Sequence, residues 1–190
     1  MNKRIGVFGG SFDPVHNGHI HIVKSFLKSG VIDELLITLT PVPPHKDRTR
    51  QAPYRHRFRM LELAFTGLDN VNISDLEQSL PVPSYSLQTI QSLKASAPGC
   101  QYFLCMGEDS LESFHTWHSY KELLTEVTIL VAARPGSNCG LVAEEILEKT
   151  IFVSNSEIDI SSSTVRSGTA DKNALPKSVT EYIRTHNLYS

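Results

Sequence analysis

The sequence predicts an α/β protein built on a doubly wound, mostly parallel sheet. Three observations point there. Short apolar, β-branched runs alternate with amphipathic stretches along nearly the whole chain. Glycine-rich, polar or basic segments recur where those apolar runs stop, the strand ends at which open α/β sheets bind ligands. The chain has 190 residues, enough for one sizeable core, and no internal repeat, low-complexity tract or long linker divides it.

Lys3–Phe8 reads as a buried strand and His16–Ser29 as its helix, with Ile20, Val23 and Leu27 on one stripe and Gly30 ending it. Glu34–Thr40 is a second strand, so the chain opens as strand, helix, strand with a right-handed crossover. Pro41–Arg50 follows as a loop stiffened by three prolines and made basic by Lys46, Arg48 and Arg50. It reads either as a solvated connection or as a cationic arm over a polyphosphate. Tyr54–Phe65 is helical, with Phe58, Leu61 and Phe65 on one side and Arg55, Arg57 and Arg59 on a solvated face. Val71–Ile73 is a short strand. Pro81–Ser84 is a stiff loop before the helix Tyr85–Leu93, whose amino end can receive an anion.

Gln101–Met106 is a near-continuous apolar strand that runs into the polar turn Gly107-Glu108-Asp109-Ser110. Ser119 and Glu122 form a capping-box pattern opening the helix Tyr120–Thr125. Trp117 stands among polar residues at that helix entry, which suits a stacking surface. Val127–Ala132 is another buried strand, ended by Arg134-Pro135-Gly136; Leu141–Leu147 is a helix and Ile151–Val153 a strand. The hydroxyl run Ser161–Thr164 has N-cap character, with Arg166 one turn inside. Lys177–Thr185, introduced by Pro176, is the last predicted helix.

The net charge of −2 and pI near 6.4 argue against a general nucleic-acid binder. No apolar run approaches the ~20 residues of a membrane span. Cys100, Cys105 and Cys139 are odd in number and lack CxxC spacing, the pattern of reduced thiols in a cytoplasmic protein.

The chemistry concentrates in Gly9-Gly10-Ser11-Phe12-Asp13-Pro14-Val15-His16-Asn17-Gly18-His19. A strand, a glycine-rich turn and a helix start let backbone approach phosphate, and the helix end offers free N–H groups and about half a positive charge. His16 and His19, three apart, share one face of a helical turn. There is no GxxxxGK followed by Ser or Thr, no GxGxxG after the first strand, no HExxH and no GxSxG. No third ligand accompanies the two histidines at zinc spacing. Phosphoryl chemistry without a covalent intermediate fits best: imidazoles, a helix end, a hydroxyl cap and Lys/Arg groups stabilise charge developing on phosphate oxygens.

The opening stretch closely resembles the GGxFDPxHxGH signature of the HxGH-motif nucleotidyltransferases. Ile160-Ser161-Ser162-Ser163-Thr164-Val165-Arg166 resembles their second signature, ISSTxxR. With Pro43-Pro44-His45-Lys46, Tyr85-Ser86-Leu87-Gln88-Thr89, Gly107-Glu108-Asp109-Ser110-Leu111 and Thr116-Trp117-His118, the chain is similar to the bacterial nicotinate-nucleotide adenylyltransferases from Ile5 to Tyr189. The resemblance implies a Rossmann-like nucleotidyltransferase fold over residues 1–190, with 160–190 a small C-terminal helical subregion. It implies transfer of AMP from ATP to nicotinate mononucleotide, giving deamido-NAD and pyrophosphate in NAD biosynthesis.

By the same resemblance His16, His19 and Arg166 are catalytic. Gly9, Gly10, Ser11, Lys46, Arg134, Ser161, Ser162 and Ser163 would bind ATP and its phosphates. Ser86, Asp109, Trp117 and His118 would serve the mononucleotide, Trp117 by stacking on the pyridine ring. Mg2+ would arrive with ATP, no metal would be held by the protein itself, and the partners would be the two substrates, with no nucleic acid, no membrane, and a homo-oligomer left open. Departures from the family pattern are Ser163 for Thr, Glu108 for a small residue and His115 for proline; none removes a proposed catalytic group. The relatives that compete are pantetheine-phosphate adenylyltransferase and, from another class, a non-catalytic nucleotide sensor.

Overall fold

The computed structural model describes residues 2–42, 51–133, 142–156 and 160–189. Six strands form one sheet: β1 (Arg4–Gly10), β2 (Glu34–Leu39), β3 (Val71–Ser74), β4 (Gln101–Gly107), β5 (Thr128–Ala133) and β6 (Thr150–Ser154). Their order is β3-β2-β1-β4-β5-β6 and every pairing is parallel. The expected sheet is therefore present, and fully rather than mostly parallel in the described residues. The helices are α1 (Asn17–Lys28), α2 (Tyr54–Phe65), α3 (Ser86–Ser96), α4 (Glu108–Glu112), α5 (Tyr120–Glu126), α6 (Glu144–Leu147), α7 (Ser162–Arg166) and α8 (Lys177–Thr185).

Period-2 alternation sorts the strand side chains into two cores, one on each face. Phe8, Ile37, Leu39, Phe103, Cys105 and Leu130 meet Val23, Phe26, Met60, Leu61 and Val179 from α1, α2 and α8. Ile5, Val7, Leu104, Met106, Ile129 and Val131 meet Leu87, Ile90, Leu111, Leu123 and Ile146 from α3, α4, α5 and α6. Burying both faces explains why these strands read as continuous apolar runs. The strand order reverses between β1 and β4, which lie side by side in the sheet centre. Their carboxyl ends, Gly10 and Gly107, open the crevice where ligands bind in such sheets.

Four local expectations are corrected. The glycine pair does not make the turn: Gly9 and Gly10 still belong to β1, and buried Phe12 takes the positive φ of 39°. Gly10 matters instead for space, since a Cβ there would stand 3.1 Å from the Phe12 ring. Ser119 does not form a capping box with Glu122, because its backbone is left-handed at φ 53°, ψ 37° and its hydroxyl makes no cap bond. A box needs an extended cap residue to aim the hydroxyl at the helix N–H groups. The polar turn after β4 is itself helical, as α4. Arg57 is not on a solvated face; it is 1% exposed.

Candidate active site

Two recesses lie at the carboxyl ends of β1 and β4. The larger, about 380 Å³, is lined by Gly9, Gly10 and Ser11, by Thr38 and Thr40 at the end of β2, and by Ser84–Ser86, Trp117 and His118. The smaller, about 190 Å³, is lined by His16, Gly18, His21, Glu108, Asp109 and Asn155 among others. Ser110 borders both.

His16 and His19 are brought together as the spacing predicts: their rings stand 3.7 Å apart at 31°. The His16 backbone N–H donates to His19 Nδ1 at 3.2 Å, which fixes the His19 ring against the entry of α1. The His19 ring also meets Phe12 edge-on at 5.0 Å. His16 is 6% exposed and its Nδ1 has no hydrogen-bond partner among the described residues. Burial lowers its pKa to about 4, so the ring is neutral near pH 7. A neutral imidazole keeps one N–H to give and one lone pair to receive. Gly18 is needed beside it, because a Cβ there would meet His16 Nδ1 at 3.0 Å.

The second signature packs directly on the first. Ser161 caps α7, its hydroxyl accepting from Thr164 N–H at 3.1 Å, so the capping reading of this hydroxyl run holds. Ser162 donates to the Pro14 carbonyl at 3.0 Å, and Arg166 Nη1 donates to the Asp13 carbonyl at 2.6 Å. Arg166 Nη2 reaches Ser163 Oγ at 3.4 Å. Ser161 and Ser163 remain exposed and Arg166 half-buried, open to a further anion.

Sequence-predicted residues divide between the recesses. Gly9, Gly10, Ser11, Ser86, Trp117 and His118 line the larger one. Trp117 is half-buried against Phe114, 5.3 Å between centroids, and His118 stacks on Tyr85 at 4.2 Å. Asp109, grouped by sequence with the mononucleotide residues, instead lines the smaller recess beside His16. Lys46 and Arg134, together with Pro43-Pro44-His45, Arg48, Arg50 and Cys139, lie outside the described residues. Cys105 is buried and burial pushes its thiol up, which suits a packed side chain.

Sequence reasoning missed several residues. Arg57 donates to the carbonyls of Ser11 (2.7 Å), Thr40 (3.0 Å), Pro41 (3.2 Å) and Ala52 (3.0 Å), tying the turn after β1 to the end of β2 and the entry of α2. Its register was the available signal: it stands four residues before Leu61 and eight before Phe65, on the buried stripe. Glu77 sits in the short 3-10 helix Leu76–Ser79, is 5% exposed, and lines the larger cavity. Asp13 is buried and accepts from Ala52 N–H at 3.1 Å and from the Tyr189 hydroxyl at 2.6 Å. His21 and Asn155 line the smaller recess, with no pattern in the sequence to mark them.

Among the described residues no group of three or more His, Cys, Asp and Glu could hold a metal ion, and no helix is long and apolar enough to cross a membrane. The chain matches the cytidylyltransferase-like family over residues 7–168. It is 34% identical over 197 residues to a Neisseria meningitidis protein named "Probable nicotinate-nucleotide adenylyltransferase", covering 98% of each chain. It is 30% identical over 191 residues to Bacillus subtilis nicotinate-nucleotide adenylyltransferase, again covering 98% of each. The solved structure of Plasmodium falciparum nicotinic acid mononucleotide adenylyltransferase complexed with NaAD shares its fold, with a TM-score of 0.81 at 20% identity over 98% of this chain and 97% of that one.

Proposed function

The chain belongs to the cytidylyltransferase-like family, among its nicotinate-nucleotide adenylyltransferases, and on that premise we propose that it transfers AMP from ATP to nicotinate mononucleotide. The products are nicotinate adenine dinucleotide and pyrophosphate, a step of NAD biosynthesis. One observation carries the reading beyond family membership: two recesses border Ser110, and the smaller is lined by His16, whose ring lies 3.7 Å from that of His19. Two substrates placed in adjoining recesses react as one bound pair, which removes most of the entropy cost of bringing them together.

ATP takes the smaller recess and the surface between α1 and α7, the mononucleotide the larger cavity. A phosphate oxygen of the mononucleotide forms a bond to the α-phosphorus of ATP while the bond to the departing pyrophosphate breaks. No protein nucleophile is needed; the chain supplies position and charge. His16 and His19 donate to oxygens that gain charge, each such donor contributing roughly 3 to 4 kcal/mol. Arg166, Ser161, Ser162 and Ser163 receive the pyrophosphate, with Lys46 and Arg134 as further cations. Asp109, from the smaller recess, serves the ribose of ATP rather than the mononucleotide. Trp117 stacks on the pyridine ring, and the N–H groups at the start of α3 near Ser86 take the ring carboxylate. Mg2+ enters with the ATP phosphates, its remaining ligands water, in the way this ion usually binds.

The test is an acceptor panel with ATP and Mg2+, reading pyrophosphate release on nicotinate mononucleotide, nicotinamide mononucleotide and phosphopantetheine. Fastest release with nicotinate mononucleotide is expected. Faster release with phosphopantetheine overturns the assignment, and ATP binding without turnover on any acceptor makes the chain a sensor.

A further inference from the structure

The larger cavity is electrically lopsided. Among the described residues no Lys or Arg lines it, yet its wall carries Glu77, 5% exposed. The hydroxyls of Thr38, Thr40 and Thr89 all donate to this carboxylate, Thr89 at 3.2 Å. Thr38 and Thr89 are themselves buried. Among the described residues no cation forms an ion pair with Glu77. Burial pushes its carboxyl pKa up by disfavouring the charged form, and the threonine hydroxyls work against that. The same cavity holds the hydroxyl of Ser84, a residue 7% exposed, and among the described residues that hydroxyl has no hydrogen-bond partner. At another side α3 begins, and its free N–H groups and dipole favour negative charge. One wall therefore attracts an anion and another a cation.

A pyridine ring joined to ribose through its nitrogen is a permanent cation, and a carboxyl group on that ring is an anion. We propose that Glu77 is a specificity-determining residue whose carboxylate is the counter-charge to the quaternary ring nitrogen of the acceptor, while the start of α3 takes the ring carboxylate. The inference rests on the proposed acceptor being a pyridine mononucleotide in this cavity. It adds that the protein selects the charged ring itself, and not only its carboxylate. The three threonines fit this role, because their hydroxyls donate to Glu77 and hold its carboxylate in the cavity wall, Thr89 also lying 3.5 Å from the Tyr85 carbonyl. A chloride or phosphate ligand would gain nothing from such a wall.

The experiment compares nicotinate mononucleotide with its 1,4-dihydro form, whose ring nitrogen is neutral and whose ring is no longer aromatic, so the role of Glu77 is read from how Glu77→Gln changes the ratio of the two. Steady-state rates with ATP and Mg2+ are measured for wild type, Glu77→Gln and Glu77→Asp, with melting temperature recorded for each. Wild type is expected to favour the oxidised acceptor by at least about tenfold in kcat/KM, the scale of one partly screened charge pair. Glu77→Gln should lose that preference through a raised KM for the oxidised acceptor, with the dihydro acceptor and the KM for ATP held within about twofold. Glu77→Asp should keep it. Equal losses on both acceptors in Glu77→Gln would make Glu77 an organiser of the threonines and overturn the inference, as would a wild type without preference. A wild-type ratio of one overturns the inference even if the variants fail to fold, and where they fold the loss of the ratio in Glu77→Gln, with its retention in Glu77→Asp, separates the charge from stacking on Trp117. A wild type that releases no pyrophosphate with any pyridine mononucleotide overturns the functional reading itself, a separate result from equal turnover of both.

Discussion

The Tyr189 hydroxyl donates to Asp13 Oδ1 at 2.6 Å, joining positions 176 apart in the chain. Asp13 stands inside the first signature, and its own carbonyl accepts from Arg166 of the second at 2.6 Å. Arg166 also lies 3.9 Å from Asp13 Oδ2. Tyr189, Asp13 and Arg166 thus form one line of contacts from the segment after α8 to the phosphate side of the site. The tyrosine is held protonated by burial and by the carboxylate it serves, both of which push its pKa up. Removing the hydroxyl in Tyr189→Phe should cost about 1.5 to 3 kcal/mol, the value of a hydrogen bond to a charged group. Because Arg166 loses part of its alignment, kcat should fall while the KM for the mononucleotide holds. Urea unfolding and steady-state kinetics check both; a variant equal to wild type in each would make the contact incidental.

His16 links the site to pH. Its folded pKa of about 4 lies below the ordinary 6.5 because burial disfavours the imidazolium. The unfolded chain therefore binds the extra proton first as pH falls. The stability that comes from burying the neutral ring is fully present above pH 6.5 and is lost as pH falls toward 4. The two values bound the effect at about 3 kcal/mol. Unfolding free energies at pH 7 and pH 4.5 for wild type and His16→Asn should show a smaller acid loss in the variant. Parallel pH curves would mean that His16 titrates alike in the folded and unfolded states, and so is not held neutral by burial.

Much of the sheet was legible because both its faces are covered, so each strand reads as an apolar run bounded by turn residues. Tyr54–Phe65 and Lys177–Thr185 coincide with α2 and α8, since amphipathic periodicity and a leading proline define them locally. The pair His16 and His19 was legible for the same reason: His16 caps α1 and His19 stands in its first turn. What stayed hidden depends on partners far away in the chain. Arg57 looked like one basic residue among three, and only the carbonyls of Ser11 and Thr40, supplied by other strand ends, explain a buried guanidinium. Glu77 sits on a 3-10 turn with no periodic pattern, and its meaning comes from hydroxyls on β2 and α3. Ser119 failed in the opposite direction, a good local motif overridden by a left-handed backbone.

Trp117 lines the larger cavity while His16 lines the smaller one, with the His19 ring against it. Its face is half-buried, and its contact with Phe114 holds it in place. Trp117→Ala removes a stacking partner from one substrate only. The KM for nicotinate mononucleotide should rise roughly tenfold, about the value of one aromatic stack with its buried area. The KM for ATP should change by less than about twofold. Initial rates with each substrate varied in turn separate the two constants. An equal rise in both would make Trp117 a packing residue.

Arg57 carries the largest stability prediction. Four carbonyls, of Ser11, Thr40, Pro41 and Ala52, direct their lone pairs at one guanidinium that water does not reach. Burial lowers its proton affinity and the nearby Asp13 carboxylate works against that, so the charge is kept inside at a cost that the carbonyls offset. Arg57→Met fills the space yet leaves the four acceptors without donors. The expected loss is about 3 kcal/mol or more, the penalty of orphaning several buried polar groups at once. Arg57→Lys should recover only part of it, because a single ammonium cannot span the geometry that a planar fork spans. Ser11 and Thr40 line the larger cavity, so kcat/KM for the mononucleotide should drop in both variants even at temperatures where they remain folded. Denaturant titration gives the stability order wild type, Lys, Met; a Met variant within about 0.5 kcal/mol of wild type would show that the carbonyls find water instead, and that Arg57 does not hold the turn.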